Sequence, residues 1–522
     1  MTESSPEASV EPKADGPTVP AALPVSDRNA RKPTDLLIVR IFLLTLGALL
    51  TGYAFAGRGF AHLGVPPVYL GEFVMALGLV ATGVAAVRTK LQLSRSWLVV
   101  LLVGFMLLGL ARTVPYLSTY KADALRDGTL WGYAIFALML FALLDREWVL
   151  RLFRLYGYMA IVFLFWGPVA YFIFVNFTVQ IAPGSFVFVN TIIPNAPGSD
   201  VPILFFKAQD MAVQTAGAIA FLVLGTPLVS RLRDFLWRLG AALPASWMVY
   251  TTPTITRGGL LAVMAAAAVL SVASVVARRT RNWAPILAGA VLFVAVVLSG
   301  LTLPAYQSGS GPTPTPVVVQ SAPPSGAVQT PTPVPTPAPT PTPVPSWAAN
   351  RNIDTKQWWE NITSIFLGSS NTQLEGTKSF RLAWWNEIID QTFNGKYFWT
   401  GQGFGVNLAD SDGFQSSDKA LRDPHNTHLS VLDRMGVPGF VLWILLQGAF
   451  ALLLLRALLA FRRAGDQPLA AVAAWVLVFW TAIMVNTAFD PYIEGPQGGI
   501  WFWVLFGLGL VLMRLKPQRQ KE

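Results

Sequence analysis

Apolar runs of roughly 17–25 residues, the length a helix needs to cross a hydrocarbon layer, recur along most of this chain. In lipid the backbone has to satisfy its own hydrogen bonds, which a helix does internally. With that span length as the ruler, about twelve spans are expected. Their cores lie near 36–56, 68–87, 97–112, 129–144, 152–175, 211–229, 235–250, 258–277, 283–304, 437–460, 469–487 and 499–513. Composition agrees: 53% of the 522 residues are hydrophobic and 13% charged, against about a quarter charged in ordinary soluble domains. Mean hydropathy is +0.50. The expected fold class is all-α, a polytopic membrane bundle of about twelve transmembrane helices with one large extracytoplasmic loop carrying short amphipathic helices.

Positive residues orient the bundle. Every second connection holds a basic cluster: Arg88/Lys90/Arg95, Arg146/Arg151/Arg154, Arg231/Arg233/Arg238, Arg278/Arg279/Arg281, Arg462/Arg463 and Arg514/Lys516/Arg519/Lys521. Arg28, Arg31 and Lys32 precede the first span. The positive-inside bias assigns all of these to the cytoplasm, so both termini are expected inside and the number of spans even.

The domain plan follows. Residues 1–34 are polar and rich in Pro, Ala and Ser, as expected of a disordered cytoplasmic tail. No short apolar stretch with a cleavage site precedes the first span, which is expected to act as an uncleaved anchor. Residues 35–304 hold spans one to nine and 436–514 spans ten to twelve, with a cytoplasmic tail at 515–522. The outward connection 305–435 is far longer than ordinary loops. Its segment 312–346 is a Thr-Pro repeat, a composition that favours extended polyproline II spacers. Residues 347–435 carry helical periodicity: Phe380, Trp384, Ile388 and Phe393 recur about once per turn, as in an amphipathic helix lying on the outer membrane face. The turn "TGQGFG" at 400–405 lacks a phosphate-loop lysine, which argues against nucleotide binding there.

Ionisable residues at the outward ends of spans are the candidates for chemistry. The chain has no cysteine and only three histidines, so thiol nucleophiles and Cys-based metal sites are excluded. Two of the histidines lie in "DPHNTHLSVLDRMGVPGF", residues 423–440. Asp423 suits an N-cap and Pro424 a first helical position. A helix starting there would aim free amides outward as an anion site and disfavour a charged His425. Arg257 stands at the outward end of the eighth span, against the positive-inside bias, and its planar fork suits phosphate. Arg381 and Arg422 lie in the outward loop.

Together these elements resemble the O-antigen ligase and O-antigen polymerase superfamily, membrane glycosyltransferases of the GT-C type. "HNTHLSVLDRMGVPG" reads His-Asn, nine residues, Gly, two residues, Gly; "TRGGLLAV", "SFRLAWWNEIIDQTFNGKYFWTGQGFG" and "FDPYIEGPQGGIWFW" are similar to further family segments. Two positions depart from the pattern: Arg434 stands where the family often has an acid, next to Asp433, and His428 where it often has an aromatic residue. His428 is expected to pack or hydrogen-bond locally.

The resemblance implies a donor glycan on undecaprenyl pyrophosphate, presented on the outer face of the bacterial cytoplasmic membrane. The glycan passes to a hydroxyl of a glycan, lipid or protein acceptor with inversion, and surface polysaccharide is the product. His425, Arg257 and Arg381 are the expected catalytic residues, with Asn426, Arg422 and Lys207 binding substrate. His425 either takes the acceptor proton, the favoured role, or holds a phosphate oxygen. No metal, other cofactor or nucleic acid is expected. Ligase and polymerase share this donor chemistry. A transporter also fits twelve spans, but no internal repeat supports it and polar residues concentrate in one loop instead; a non-catalytic scaffold for polysaccharide assembly is a third reading.

Overall fold

The computed structural model describes residues 32–65, 68–89, 91, 96–180, 188–190, 194–197, 199, 201–225, 230–299, 355–366, 372–415 and 421–518. The expected tail before Lys32 and the Thr-Pro spacer lie outside the described residues. The first helices are α1 (Leu37–Ala56), α2 (Leu70–Arg88), α3 (Trp97–Thr113), α4 (Leu117–Tyr120), α5 (Ala122–Gly132) and α6 (Ala134–Leu143). Then come α7 (Arg146–Phe177), α8 (Ala208–Leu224), α9 (Arg231–Ile255), α10 (Arg257–Val276) and α11 (Trp283–Leu298). The remainder are α12 (Thr355–Phe366), α13 (Thr372–Phe393), α14 (Leu408–Ser411), α15 (Thr427–Arg463), α16 (Gln467–Asn486) and α17 (Pro496–Arg514). Among the described residues, strands form two short antiparallel hairpins, Gly64–Val65 with Val68–Tyr69 and Thr178–Gln180 with Phe188–Asn190. The protein is thus an all-α polytopic membrane protein, as the apolar runs predict.

A helix occupies each of the twelve expected spans, with differences in length that have physical causes. Among the described residues, nine stretches are long and apolar enough to cross a membrane: Leu37–Ala56, Leu70–Arg88, Trp97–Tyr120, Arg146–Ala170, Arg257–Val276, Thr280–Leu298, Thr427–Arg463, Gln467–Asn486 and Pro496–Arg514. The apolar helices α6 and α8 are shorter. The expected span 129–144 is interrupted between α5 and α6 at Tyr133. Helix α9 is long, but its first turns carry Arg231, Arg233, Asp234 and Arg238.

Helices α16 and α17 form the centre. In α17, 89% of the apolar window is buried against protein, compared with 17% for Thr280–Leu298, which places α11 at the periphery. Helix α16 packs on α10, α8, α15 and α17, and α17 packs on α6. Aromatic rings fill the middle; Phe450 stacks on Phe506 at 4.2 Å and Tyr156 meets Trp475 at 4.4 Å.

Charged residues gather at both ends of the bundle. At one end the basic clusters meet acids and carbonyls: Arg146 donates to Asp466 at 2.8 Å, Arg238 to Asp234 at 2.9 Å, and Arg514 to the Phe141 carbonyl at 2.7 Å. Lys32 lies 3.9 Å from Asp145. Helices α1 and α16 start at this end and finish at the other, where Arg58 and Asp490 meet.

Candidate active site

Helix α15 positions the histidine segment, but not with the cap that the sequence suggests. The N-cap is Asn426, whose Oδ1 accepts from the amides of His428 at 3.1 Å and Leu429 at 3.3 Å. The Thr427 amide donates to the Thr487 carbonyl at 2.8 Å. The expected start at Asp423–Pro424 is therefore corrected to Thr427, and the amides expected to form an anion site are already paired within the protein. Asp423 makes a turn instead, accepting from the His425 amide at 3.1 Å. His425 lies outside the helix with φ of 53°, a left-handed conformation uncommon for a non-glycine residue and one found at functional sites.

Helix α13 clamps this segment. Trp385 Nε1 donates to the Pro424 carbonyl at 2.9 Å, and Arg381 Nη1 to the Phe489 carbonyl at 3.3 Å. Trp384 and Ile388 are fully buried among Leu408, Ala409 and Leu432, and Trp384 stacks on Phe414 at 5.6 Å. The apolar stripe of α13 thus faces α14 and α15, and the expectation that it lies on the membrane is corrected: protein covers its central residues, while Phe380 and Phe393 at the ends stay exposed.

The glycines of the two motifs meet each other. Inside α15, Gly436 adopts φ 67°, ψ −173° and breaks the helix. The break frees carbonyls that the "TGQGFG" turn uses: Gln402 N donates to Asp433 O at 2.6 Å and Gly403 N to Arg434 O at 3.1 Å. A Cβ on Gly436 would come 2.6 Å from Phe398 O. Arg434, the departure from the family pattern, is a hub here, ion-paired with Asp127 at 3.0 Å and donating to the Val406 carbonyl at 3.1 Å. His428 accepts from Trp443 Nε1 through Nδ1 at 3.1 Å and so donates from Nε2 to Met484 O at 3.1 Å, the local packing expected of it.

The turn after α16 gathers the charges. Buried Asp490 accepts from Arg58 Nη2 at 2.8 Å and from Lys207 Nζ at 3.3 Å. Arg58 also grips Asp210, with Nε at 2.7 Å and Nη2 at 3.0 Å. Burial works to raise the Asp490 pKa, but Lys207, Arg58 and His425 outweigh it and hold the carboxyl down to about 2. Arg257 opens α10 beside this turn; Gly258 next to it lets Phe489 approach, since a Cβ there would sit 2.6 Å from the Phe489 side chain. Burial lowers the pKa of Arg381, with the Arg257 charge acting in the same direction and Asp490 and Asp423 opposing it. Burial likewise lowers the pKa of His425; the Arg381 and Lys207 charges add to this, while Asp423 and Asp490 counter it. His425 is thus neutral near pH 7, a state that accepts a proton.

Five sequence-derived residues, His425, Asn426, Arg257, Arg381 and Lys207, converge at this end. Arg422 points its guanidinium into a different network, with Asp127 at 3.0 Å and the Gly405 carbonyl at 3.1 Å. Sequence reasoning passes over Arg58, Asp210 and Asp490. Arg58 carries the same signal that singles out Arg257, a cation at a span end that the positive-inside bias assigns outward.

The protein-family model described as O-antigen ligase matches residues 240–444. The match contains Arg257, Arg381, Arg422, His425 and Asn426 together with the α15 break. Residues 240–444 are thus similar to the O-antigen ligase family, as the sequence motifs imply. No curated protein matches the chain. The O-antigen ligase match and the apolar helices together describe a multi-pass membrane protein of surface polysaccharide biosynthesis. Lys207, Arg58 and Asp490 lie outside the matched region yet reach the same site, so the superfamily segment draws on helices from both of its flanks.

Proposed function

We propose that the protein transfers a glycan from undecaprenyl pyrophosphate to an acceptor hydroxyl on the outer face of the bacterial cytoplasmic membrane, as an O-antigen ligase-type enzyme. The observation that carries this reading is that Arg381 and Lys207 act on His425 and Arg257 acts on Arg381, cations from separate parts of the chain beside a histidine whose pKa burial lowers. A pyrophosphate leaving group carries several negative charges, and preformed cations in a site of low polarity stabilise them as they develop.

In the proposed reaction, His425 takes the proton of the acceptor hydroxyl as its oxygen bonds to the anomeric carbon. The carbon–oxygen bond to pyrophosphate breaks, and its electron pair leaves on the phosphate oxygen, held by Arg257, Arg381 and Lys207. Direct displacement inverts the anomeric centre. The arginines and lysine do the charge work without a metal. Asn426 acts through its cap, fixing where His425 sits. Both termini are cytoplasmic in this reading, and the site is extracytoplasmic.

The test is purified protein in liposomes with an undecaprenyl-pyrophosphate glycan. Transfer to an added hydroxyl acceptor, with no reaction before it is added, supports the ligase. Chain growth from the donor alone makes the protein a polymerase of the same superfamily. Translocation of the donor with no glycosidic bond made contradicts the proposal.

A further inference from the structure

Asp127 belongs to α5, outside the matched region, and nothing in the reaction above uses it. It is nevertheless the most heavily engaged carboxylate near the histidine segment. Its side chain is 7% exposed. Oδ2 accepts from Arg422 Nη2 and from the Gly405 amide, each at 3.0 Å, and forms an ion pair with Arg434 Nη1 at 3.0 Å; Oδ1 accepts from Arg422 Nε at 3.2 Å. One carboxylate therefore ties α5 to the glycine turn, to α15 and to the residue just before Asp423.

What this arrangement controls is the partner of Asp423. Asp423 Oδ1 holds the His425 amide at 3.1 Å and lies 3.7 Å from His425 Nδ1. Arg422 is the adjacent residue, and its charge and that of Asp423 interact. A guanidinium released at that position would pair with Asp423, because a charge-assisted bond to a carboxylate is worth more than a neutral one. Asp127 removes that competitor by engaging two Arg422 nitrogens; the Gly405 carbonyl takes a further Arg422 contact at 3.1 Å, and Asp123, half-exposed, is the more distant carboxylate at 3.7 Å.

We propose that Asp127 is a positioning residue: by fixing Arg422 at the Gly405 turn it keeps Arg422 off Asp423, and so leaves Asp423 to hold His425 in its left-handed conformation. The inference rests on His425 being the base. The charged groups facing His425 are Asp423, Asp490, Arg381 and Lys207. In Asp127→Asn a negative charge is lost and Arg422 turns to Asp423; both changes make a protonated His425 less favourable.

The experiment follows the ring resonances of the three histidines against pH in full-length protein in nanodiscs, with His425 assigned by its loss in His425→Ala, alongside glycan-transfer kinetics. In Asp127→Asn, His425 titrates at lower pH than in the wild type. kcat falls by about tenfold or more, in line with losses of up to about 10²-fold for small misplacements, while KM for the donor stays near the wild-type value. Adding Arg422→Gln to Asp127→Asn returns the titration and part of kcat, because the competing guanidinium is gone. Asp127→Glu keeps the charge and the wild-type titration. The proposal is overturned if Asp127→Asn leaves the His425 titration unchanged, if the double variant titrates like the single one, or if Asp127→Glu behaves like Asn. Full activity in His425→Ala would instead remove the base reading, and the titration would still decide the role of Asp127.

Discussion

Arg58 Nη2 donates to Asp490 Oδ2 at 2.8 Å while its Nε donates to Asp210 Oδ2 at 2.7 Å. A single guanidinium thus joins the end of α1, the first turn of α8 and the turn between α16 and α17. Removing it takes the guanidinium from buried Asp210 and leaves buried Asp490 with Lys207 alone. Arg58→Ala should cost about 3 kcal/mol, the scale for breaking a buried pair from one side. Arg58→Lys should recover only part, since an ammonium lacks the fork that reaches both acids. Thermal unfolding in detergent measures both; an unchanged midpoint for Arg58→Ala would contradict this.

Glu494 has the opposite electrostatics to Asp490. Burial, together with the nearby Asp423 charge, raises its carboxyl to about 8, with Arg434 opposing. A folded-state pKa above the ordinary 4.5 means the neutral form is favoured in the fold. Its stabilising contribution is complete below about pH 4.5 and declines as pH rises through about 8. Glu494→Gln, neutral throughout, should match the wild type in acid and exceed it in melting temperature at pH 8 and above. A difference that shrinks with rising pH would refute the assignment.

The α15 break depends on a residue without a side chain. Gly436→Ala places a Cβ 2.6 Å from Phe398 O at φ 67°, a strain of about 2 kcal/mol. The amides of Gln402, Gly403 and Val437, which pair across the break, should then exchange with solvent faster in hydrogen-exchange measurements. Unchanged protection would show that the break does not need glycine.

The absence of cysteine makes sidedness directly measurable. Trp399 is 74% exposed in the segment that meets the α15 break, and Arg151 is exposed at the end where Arg146 meets Asp466, next to Glu147. In intact cells, a membrane-impermeant maleimide should label Trp399→Cys and leave Arg151→Cys unlabelled until the membrane is opened. The reverse pattern would invert the proposed orientation.

Much of this was legible in sequence because lipid imposes simple rules. Apolar run length locates the helices; the positive-inside bias assigns Arg146 and Arg58 to opposite ends, and each meets a buried aspartate there, Asp466 and Asp490. The finer cap chemistry was not legible. Asp423-Pro424 and Asn426-Thr427 are both plausible starts, and the choice is made by a tertiary bond, Thr427 N to Thr487 O. The stripe of α13 looked fit for a membrane surface because periodicity does not say what covers an apolar face. Arg422 looked like a free loop cation because its partner, Asp127, lies 295 positions away. Asp490 was invisible for the same reason: its cations come from Arg58 and Lys207, distant in sequence.

The central claim is that a neutral His425 takes the acceptor proton while Arg257 and Arg381 hold the departing pyrophosphate. Single-turnover transfer from pre-bound undecaprenyl-pyrophosphate glycan, compared between wild type and His425→Ala across pH, tests it most directly. The account predicts a rate lower by about 10²–10⁴-fold in His425→Ala with donor binding retained, and in the wild type an acid limb below pH 6.5, the ordinary histidine value that burial lowers here. A His425→Ala enzyme that transfers glycan at the wild-type rate, or that loses donor binding in proportion to rate, would contradict it.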